Sequence, residues 1–149
     1  MTILANVKAV LEADTLTLLA TATGGVWDFN ETKRLGLNRT TTPTAFDANG
    51  VIKPAVLLKT RSEIPDGFLA DDATQYASVV ATIEVWFYAD YDFTKIDTMS
   101  SRVYTLLHAV QVKGSFKVFW TGDAFRGRDD EMDAMFQRSD YVAHVKRST

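Results

Sequence analysis

The stretch that decides the fold is ASVVATIEVWFYADYDFTKID, residues 77–97. Its first half alternates with a period of two, placing Val79, Ala81, Ile83, Val85, Phe87 and Ala89 on one face and Val80, Thr82, Glu84, Trp86, Tyr88 and Asp90 on the other. The second face is expected to be the wet one, yet it carries a tryptophan and a tyrosine. At Asp90 or Asp92 the period changes. Phe93, Ile96, Met99, Val103, Leu106, Leu107 and Val110 recur at three-four spacing, which predicts an amphipathic helix capped by one of those aspartates and ended by Gly114.

Upstream, Ile3, Leu4, Val7, Val10 and Leu11 have helical spacing, and Asp14 is positioned to cap a short second helix, TLTLLATAT, that Gly24 and Gly25 would stop. GGVWDFNETKRLGLNRTTTPTAFDANG, residues 24–50, has no sustained period and reads as a long irregular segment. VIKPAVLLKT, residues 51–60, is an apolar run that Pro54 marks as an edge strand or a strand starting just after it. RSEIPDGFLADDATQY then reads as a polar connection. Past Gly114, SFKVFWTG puts Phe116, Val118 and Trp120 on one face of a strand, GDAFRGRDDEMD reads as a charged turn, and Tyr141 to Lys146 alternate as a final strand.

The order is helix, short helix, long loop, strand, strand, helix, strand, strand. It predicts one α+β domain over residues 1–149, a four-stranded, mainly antiparallel sheet with helices packed on one face and long loops. The other face either stays open, leaving Trp86 and Tyr88 for a partner, or is sheltered by the long loop.

Composition narrows the chemistry. The 149 residues include no cysteine, which removes disulfides, thiolate nucleophiles and cysteine-ligated metals and suits a reducing cytoplasm. A net charge of −3 gives no global attraction to nucleic acid, and no apolar run approaches the roughly 20 residues that span a bilayer. Neither H-E-x-x-H, G-x-S-x-G, a P-loop nor G-x-G-x-x-G occurs. No cofactor or metal is expected. His108 and His144 read as a helix-end and a strand histidine, and Asp129, Asp130, Glu131 and Asp133, interleaved with Arg126 and Arg128, as a solvated or subunit-contacting turn. Lys33, Arg34, Arg39, Lys146 and Arg147 suggest at most non-specific phosphate contact.

With that order assembled, the chain resembles the phage tail-terminator, or tail-completion, family of small virion proteins. The resemblance is carried by VKAVLEADTLTLLATATGGVW (7–27), KPAVLLKT (53–60), ATIEVWFYADYDFTKIDTMSSRVYTLLH (81–108) and RGRDDEMDAMFQRSDYVAHVKRS (126–148). It implies a non-enzymatic subunit of a ring, usually a hexamer, that caps the tail tube at its head-proximal end, stops its polymerisation and joins it to the neck. The implied partners are further copies of the chain, the tail-tube protein and neck or connector proteins, with DNA only passing through the lumen. The implied place is the virion, assembled in the host cytoplasm.

A ring needs two different sticky surfaces per subunit. Val80, Glu84, Trp86 and Tyr88 are the candidate subunit contacts. Trp27, Phe29, Arg34, Arg39 and Phe46 in the long loop, with Asp129, Asp130 and Glu131 in the turn, are the candidates for tube or neck. Residues 26–50 and 61–76 suit loops that order on assembly. Three alternatives stay open: another neck protein, such as a head-completion or connector subunit; a metal-dependent nuclease using Asp129, Asp130, Glu131 and His144; and a ligand-binding domain with a pocket around Trp86.

Overall fold

In the computed structural model, which describes residues 3–68 and 76–148, the chain runs α1 (Ile3–Glu12), α2 (Leu18–Thr21), β1 (Val26–Asp28), β2 (Ala55–Phe68), β3 (Tyr76–Ala89), α3 (Thr94–Leu107), β4 (Ser115–Asp129) and β5 (Ala134–Ser148). The sheet has five strands in the order β1-β2-β3-β5-β4, antiparallel throughout except for the parallel pair β1 and β2. The α+β class stands; the strand count is corrected from four to five. The added strand, three residues at Val26–Asp28, is too short to show a period.

One face of β3 is core, as its alternation predicts: Val79, Ala81, Ile83, Val85, Phe87 and Ala89 are all buried. They pack with Ile96, Met99, Val103 and Leu107 of α3 and with Ile3, Leu4, Val7 and Leu11 of α1. The Asp92 carboxylate accepts the Thr94 N–H at 2.9 Å in the turn that leads into α3, but the cap position is Phe93, one residue later, and makes no side-chain cap bond, so the expected aspartate cap is corrected. The helix ends earlier than Gly114. Ala109 adopts φ 60°, Val110 then bridges to Val118, and Gly114, at φ 85°, takes the turn into β4.

The cap position of α2 is Thr17 and not the expected Asp14, which instead ties elements together. Its carboxylate accepts the Leu18 N–H at 2.9 Å and two Arg102 N–H groups at 2.7 and 3.1 Å, clamping the α1–α2 turn to α3. The Arg102 hydrogen bonds hold this carboxyl below its ordinary value of 3.8. A carboxyl depressed in the folded state contributes stability above its unfolded pKa, and that contribution is lost as pH falls through the folded value. Asp14→Asn is therefore expected to flatten the acid limb of a urea-midpoint-against-pH curve below about pH 4. An unchanged limb would show that the clamp carries no linked protonation.

The strands are longer than the sequence suggests. β2 continues through RSEIPDGF, residues 61–68, with irregularities between Thr60 and Ser62 and between Pro65 and Gly67, so the expected polar connection is mostly strand. Residues 69–75, the rest of that connection, lie outside the described residues. β4 likewise absorbs most of the expected charged turn, which shrinks to Asp130–Asp133. At 14 residues β3 spans about 46 Å, whereas the 14-residue α3 spans about 21 Å, so the sheet overruns its helices.

Candidate functional site

The face of the sheet away from the helices is not left bare. Residues 29–54 fold back over its β1 end, and Leu37, Ala45, Phe46 and Ile52 form a second apolar cluster with Leu57, Tyr88 and Ala134. Local side-chain bonds hold this segment in shape. The Asp28 carboxylate accepts the Asn30 N–H, Asn38 accepts from Thr40 and Thr41, and Asp47 accepts from Asn49 and Val51. Phe46 and Ile52 also bridge backbone to backbone. Of the two readings left open for this face, the second holds over Tyr88, where the protein's own loop covers it, and local hydrogen bonds within the single chain shape residues 29–50, which the sequence reading offers as a loop that orders on assembly.

The four residues expected at a subunit contact have separate fates. Tyr88 is 6% exposed and Glu84 8%, so neither presents a surface. Trp86 is half-buried, its ring 5.7 Å from Phe125, 5.9 Å from Phe136 and 6.5 Å from Tyr88. Lys59 sits over its face at 4.8 Å and over Phe29 at 5.0 Å. Its indole Nε1 is buried and finds no acceptor among the described residues. Val80 is half-buried and lies beyond the loop, between Ile64 of β2 and His144 of β5.

Glu84 belongs to an internal charge ladder. It stands directly across from Lys59 on β2 and Asp140 on β5. Arg138 lies 3.9 Å from Glu84 and 3.2 Å from Asp140, and Arg61 reaches Asp140 at 3.7 Å. Two carboxylates on facing strand positions would repel; the arginines between and beside them hold the arrangement together.

The residues expected to face tube or neck divide in the same way. Phe46 is buried, Trp27 and Phe29 are half-buried, and the Trp27 indole N–H donates to the Gly24 carbonyl at 2.9 Å. Arg34 is exposed at φ 63°, and exposed Arg39 donates to the Gly50 carbonyl while lying over the Phe46 ring at 5.2 Å. Asp130 and Glu131 are exposed at the β4–β5 tip, and the half-buried Asp129 accepts the Glu131 and Met132 N–H groups at 3.0 and 3.1 Å. Arg39, Asp129 and Glu131 line one cleft beside Tyr88, so loop and tip form a single mixed-charge end.

The carboxylate–histidine set does not converge. β5 pairs Ala134 with Asp129 and carries His144 ten residues further on, about 33 Å away along the strand. Among the described residues no group of three or more His, Asp or Glu side chains could hold a metal ion. The Trp86 ring is flanked by Phe125, Phe136 and Lys59. Among the described residues no helix is long and apolar enough to cross a membrane. The side chains of Lys146 and Arg147 lie outside the described set.

Sequence reasoning missed a different aromatic group. At the β4 edge, Tyr104 stacks on His108 at 4.7 Å and meets Trp120 edge-on at 5.7 Å, while His108 meets Phe119 at 5.9 Å. The Trp120 backbone N–H donates to His108 Nδ1 at 3.1 Å. Phe116, Val118 and Trp120 were expected on one face, but the ladder slips between Ser115 and Val118 and again between Trp120 and Gly122. Val118 goes into the core while Phe116 and Trp120 stay 47% and 40% exposed. The available signal was four large apolar residues, Phe116, Phe119, Trp120 and Phe125, in a strand too polar elsewhere to be buried on two faces.

No family model matches the sequence, and no curated protein matches it. The fold does have a likeness: a chain from a structure described as the virion of a native gene transfer agent (GTA) particle superposes with a TM-score of 0.64 at 15% identity, covering 97% of this chain and 95% of that one. The likeness therefore extends over the whole fold.

Proposed function

We propose that this chain is a non-enzymatic structural protein of a phage-like virion. In this reading it forms a homo-oligomeric ring, hexameric by the family resemblance, at the head-proximal end of a tail, ends tube polymerisation and joins the tail to the neck. The observation that carries the reading is the nearly end-to-end likeness to a chain of a gene transfer agent virion. It agrees with the independent resemblance of residues 7–27, 53–60, 81–108 and 126–148 to tail terminators. The dispersed carboxylates and histidine supply no assembled hydrolytic centre, and a net charge of −3 suits a lumen through which DNA slides.

The partners are further copies of the chain, the tail-tube protein and a neck or connector protein, met during assembly in the host cytoplasm. The mixed-charge end built from the loop and the β4–β5 tip is the surface offered to tube or neck, through Arg34, Arg39, Asp130 and Glu131. The test adds purified protein to growing tail tubes and images their ends. Capped tubes of arrested length are expected. Binding to DNA-filled heads but not to tubes would move the protein to another layer of the neck, and binding to neither would sink the reading.

A further inference from the structure

A strand that alternates regularly puts residues three apart on opposite faces. β4 breaks that rule at Trp120. Its ladder with β5 slips between Trp120 and Gly122, where Gly122 takes φ 138°, so that Trp120 pairs with Tyr141 and Asp123 with Ser139. Paired residues of antiparallel strands share a face, and Tyr141 and Ser139 are two apart on β5. The slip therefore brings Trp120 and Asp123 together on the face that packs under α3, where the Trp120 indole N–H donates to Asp123 Oδ1 at 3.3 Å. With Ser101, Tyr104 and Thr105 of α3 and Tyr141 of β5, they line a cleft of about 360 Å³. That is at the small end of the range for ligand sites and suits a single side chain.

The cleft combines aromatic rings with a carboxylate. Tyr104 meets Trp120 edge-on at 5.7 Å, and both rings are partly exposed. The Ser139 hydroxyl donates to Asp123 at 2.6 Å, and this bond, like the indole bond, ends on Oδ1. Among the described residues Oδ2 accepts no hydrogen bond and the Asp123 carboxylate makes no ion pair. The arginines of α3 and of the adjoining part of β4 are engaged elsewhere: Arg102 with Asp14, and Arg126 with Asp97 and Gln137.

The same seam between α3 and β4 already holds one guanidinium in this way. Arg126 lies over the Phe93 ring at 4.4 Å while it pairs with Asp97. The cleft repeats both ingredients, ring and carboxylate, without an arginine or lysine of its own chain among the described residues.

We propose that the cleft is a guanidinium site that takes an arginine side chain of a protein partner, its plane against the Trp120 and Tyr104 rings and its N–H groups donating to Asp123 Oδ2 and the cleft hydroxyls. Arginine suits it better than lysine, because a planar, weakly hydrated fork can stack on a ring and meet a carboxylate at once, whereas an ammonium is a compact, strongly hydrated point charge. The site's chemistry stands apart from the ring reading. That reading bears only on where the arginine comes from, a neighbouring copy or the tube or neck protein.

Trp120 supplies the reporter. The chain has three tryptophans, so its proton–nitrogen spectrum holds three indole signals, and that of Trp120 is the one lost in Trp120→Phe. Blocked tripeptides with a central arginine, lysine or citrulline are titrated into the protein at neutral pH. The arginine peptide is expected to move the Trp120 signal saturably and leave those of Trp27 and Trp86 in place, with the lysine peptide several-fold weaker and the uncharged citrulline peptide roughly ten-fold weaker. Asp123→Asn keeps an acceptor for Trp120 and Ser139 but removes the charge, and is expected to weaken the arginine peptide roughly ten-fold, with unmoved Trp27 and Trp86 signals reporting an intact fold. A stationary Trp120 signal, equal binding of any two of the peptides, or undiminished binding by Asp123→Asn overturns the site. Once the peptide binds, dilution identifies the source: a Trp120 signal that depends on protein concentration in the parent but not in Asp123→Asn assigns the arginine to a second copy, and a constant one assigns it to a different protein. Peptide binding by a protein that caps no tubes overturns the tail reading and leaves the site; capping without peptide binding does the reverse.

Discussion

Arg138→Leu is expected to lower folding stability by about 3 kcal/mol at neutral pH, a loss typical of breaking a largely buried ion pair from one side. Arg138 is 19% exposed at its side chain and lies between Glu84 at 10% and Asp140 at 14%. Without it, two carboxylates remain on directly facing positions of β3 and β5, with Lys59 and Arg61 alongside. The guanidinium also lies over the rings of Phe125, at 5.0 Å, and Trp86, at 6.0 Å, so leucine loses these cation–π contacts together with the ion pairs. Urea midpoints of the parent, Arg138→Leu and Arg138→Lys at neutral pH read this directly: lysine is expected to recover part of the loss, and equal deficits for leucine and lysine would assign Arg138 a role other than charge.

Tyr88→Ala should cost about 3–4 kcal/mol, because it opens a cavity between the sheet and the loop that covers it. Tyr88→Phe should be nearly silent, since shape is what the cluster uses. Burial, with Asp129 and Glu84 adding, holds the Tyr88 phenol above its ordinary range, in keeping with a ring shut away from water. Hydrogen exchange should separate the two halves of the molecule: faster exchange over residues 37–52 in Tyr88→Ala, with α3 and the β3–β5 pairing changed only through global stability. Uniform acceleration would mean that the loop and the sheet unfold as one unit.

The contrast between β3 and β4 shows what could be read from the sequence. β3 is central, its helix-facing residues alternate without interruption, and the change of period at Asp92 marks the start of α3. β4 is an edge, and its slips rotate successive side chains out of step, so that Phe116 and Val118 part company although they are two residues apart. The second half of β2 carries Pro65 and Gly67, which mark a turn almost anywhere except beside an irregularity on an open strand side. That the long loop could shelter the face away from the helices is one of the two readings the sequence leaves open, but which of its residues do so is not legible in it. Leu37, Ala45, Phe46 and Ile52 follow no period, and only the three-dimensional return of the chain brings them together over Tyr88.

Trp86 and Tyr88 do lie on the face away from the helices, but Tyr88 is used inside the subunit, and the more exposed aromatic side chains include those of the β4 edge, which the sequence reading did not single out. Glu84, read as a contact residue, is instead tied into the ladder with Arg138.

The length of the strands relative to the helices bears on how such a subunit carries tension. β3 is bonded along its full run to β2 on one side and β5 on the other. Hydrogen bonds between antiparallel strands lie across the strand axis. A pull along that axis therefore loads every rung of both ladders in shear at once, whereas a pull across it peels β4 from β5 one rung at a time, beginning where the slips have already thinned the pairing. The sheet is stiff in one direction and weak in the other, and the stiff direction runs from the acidic β4–β5 tip to the Ile64 end.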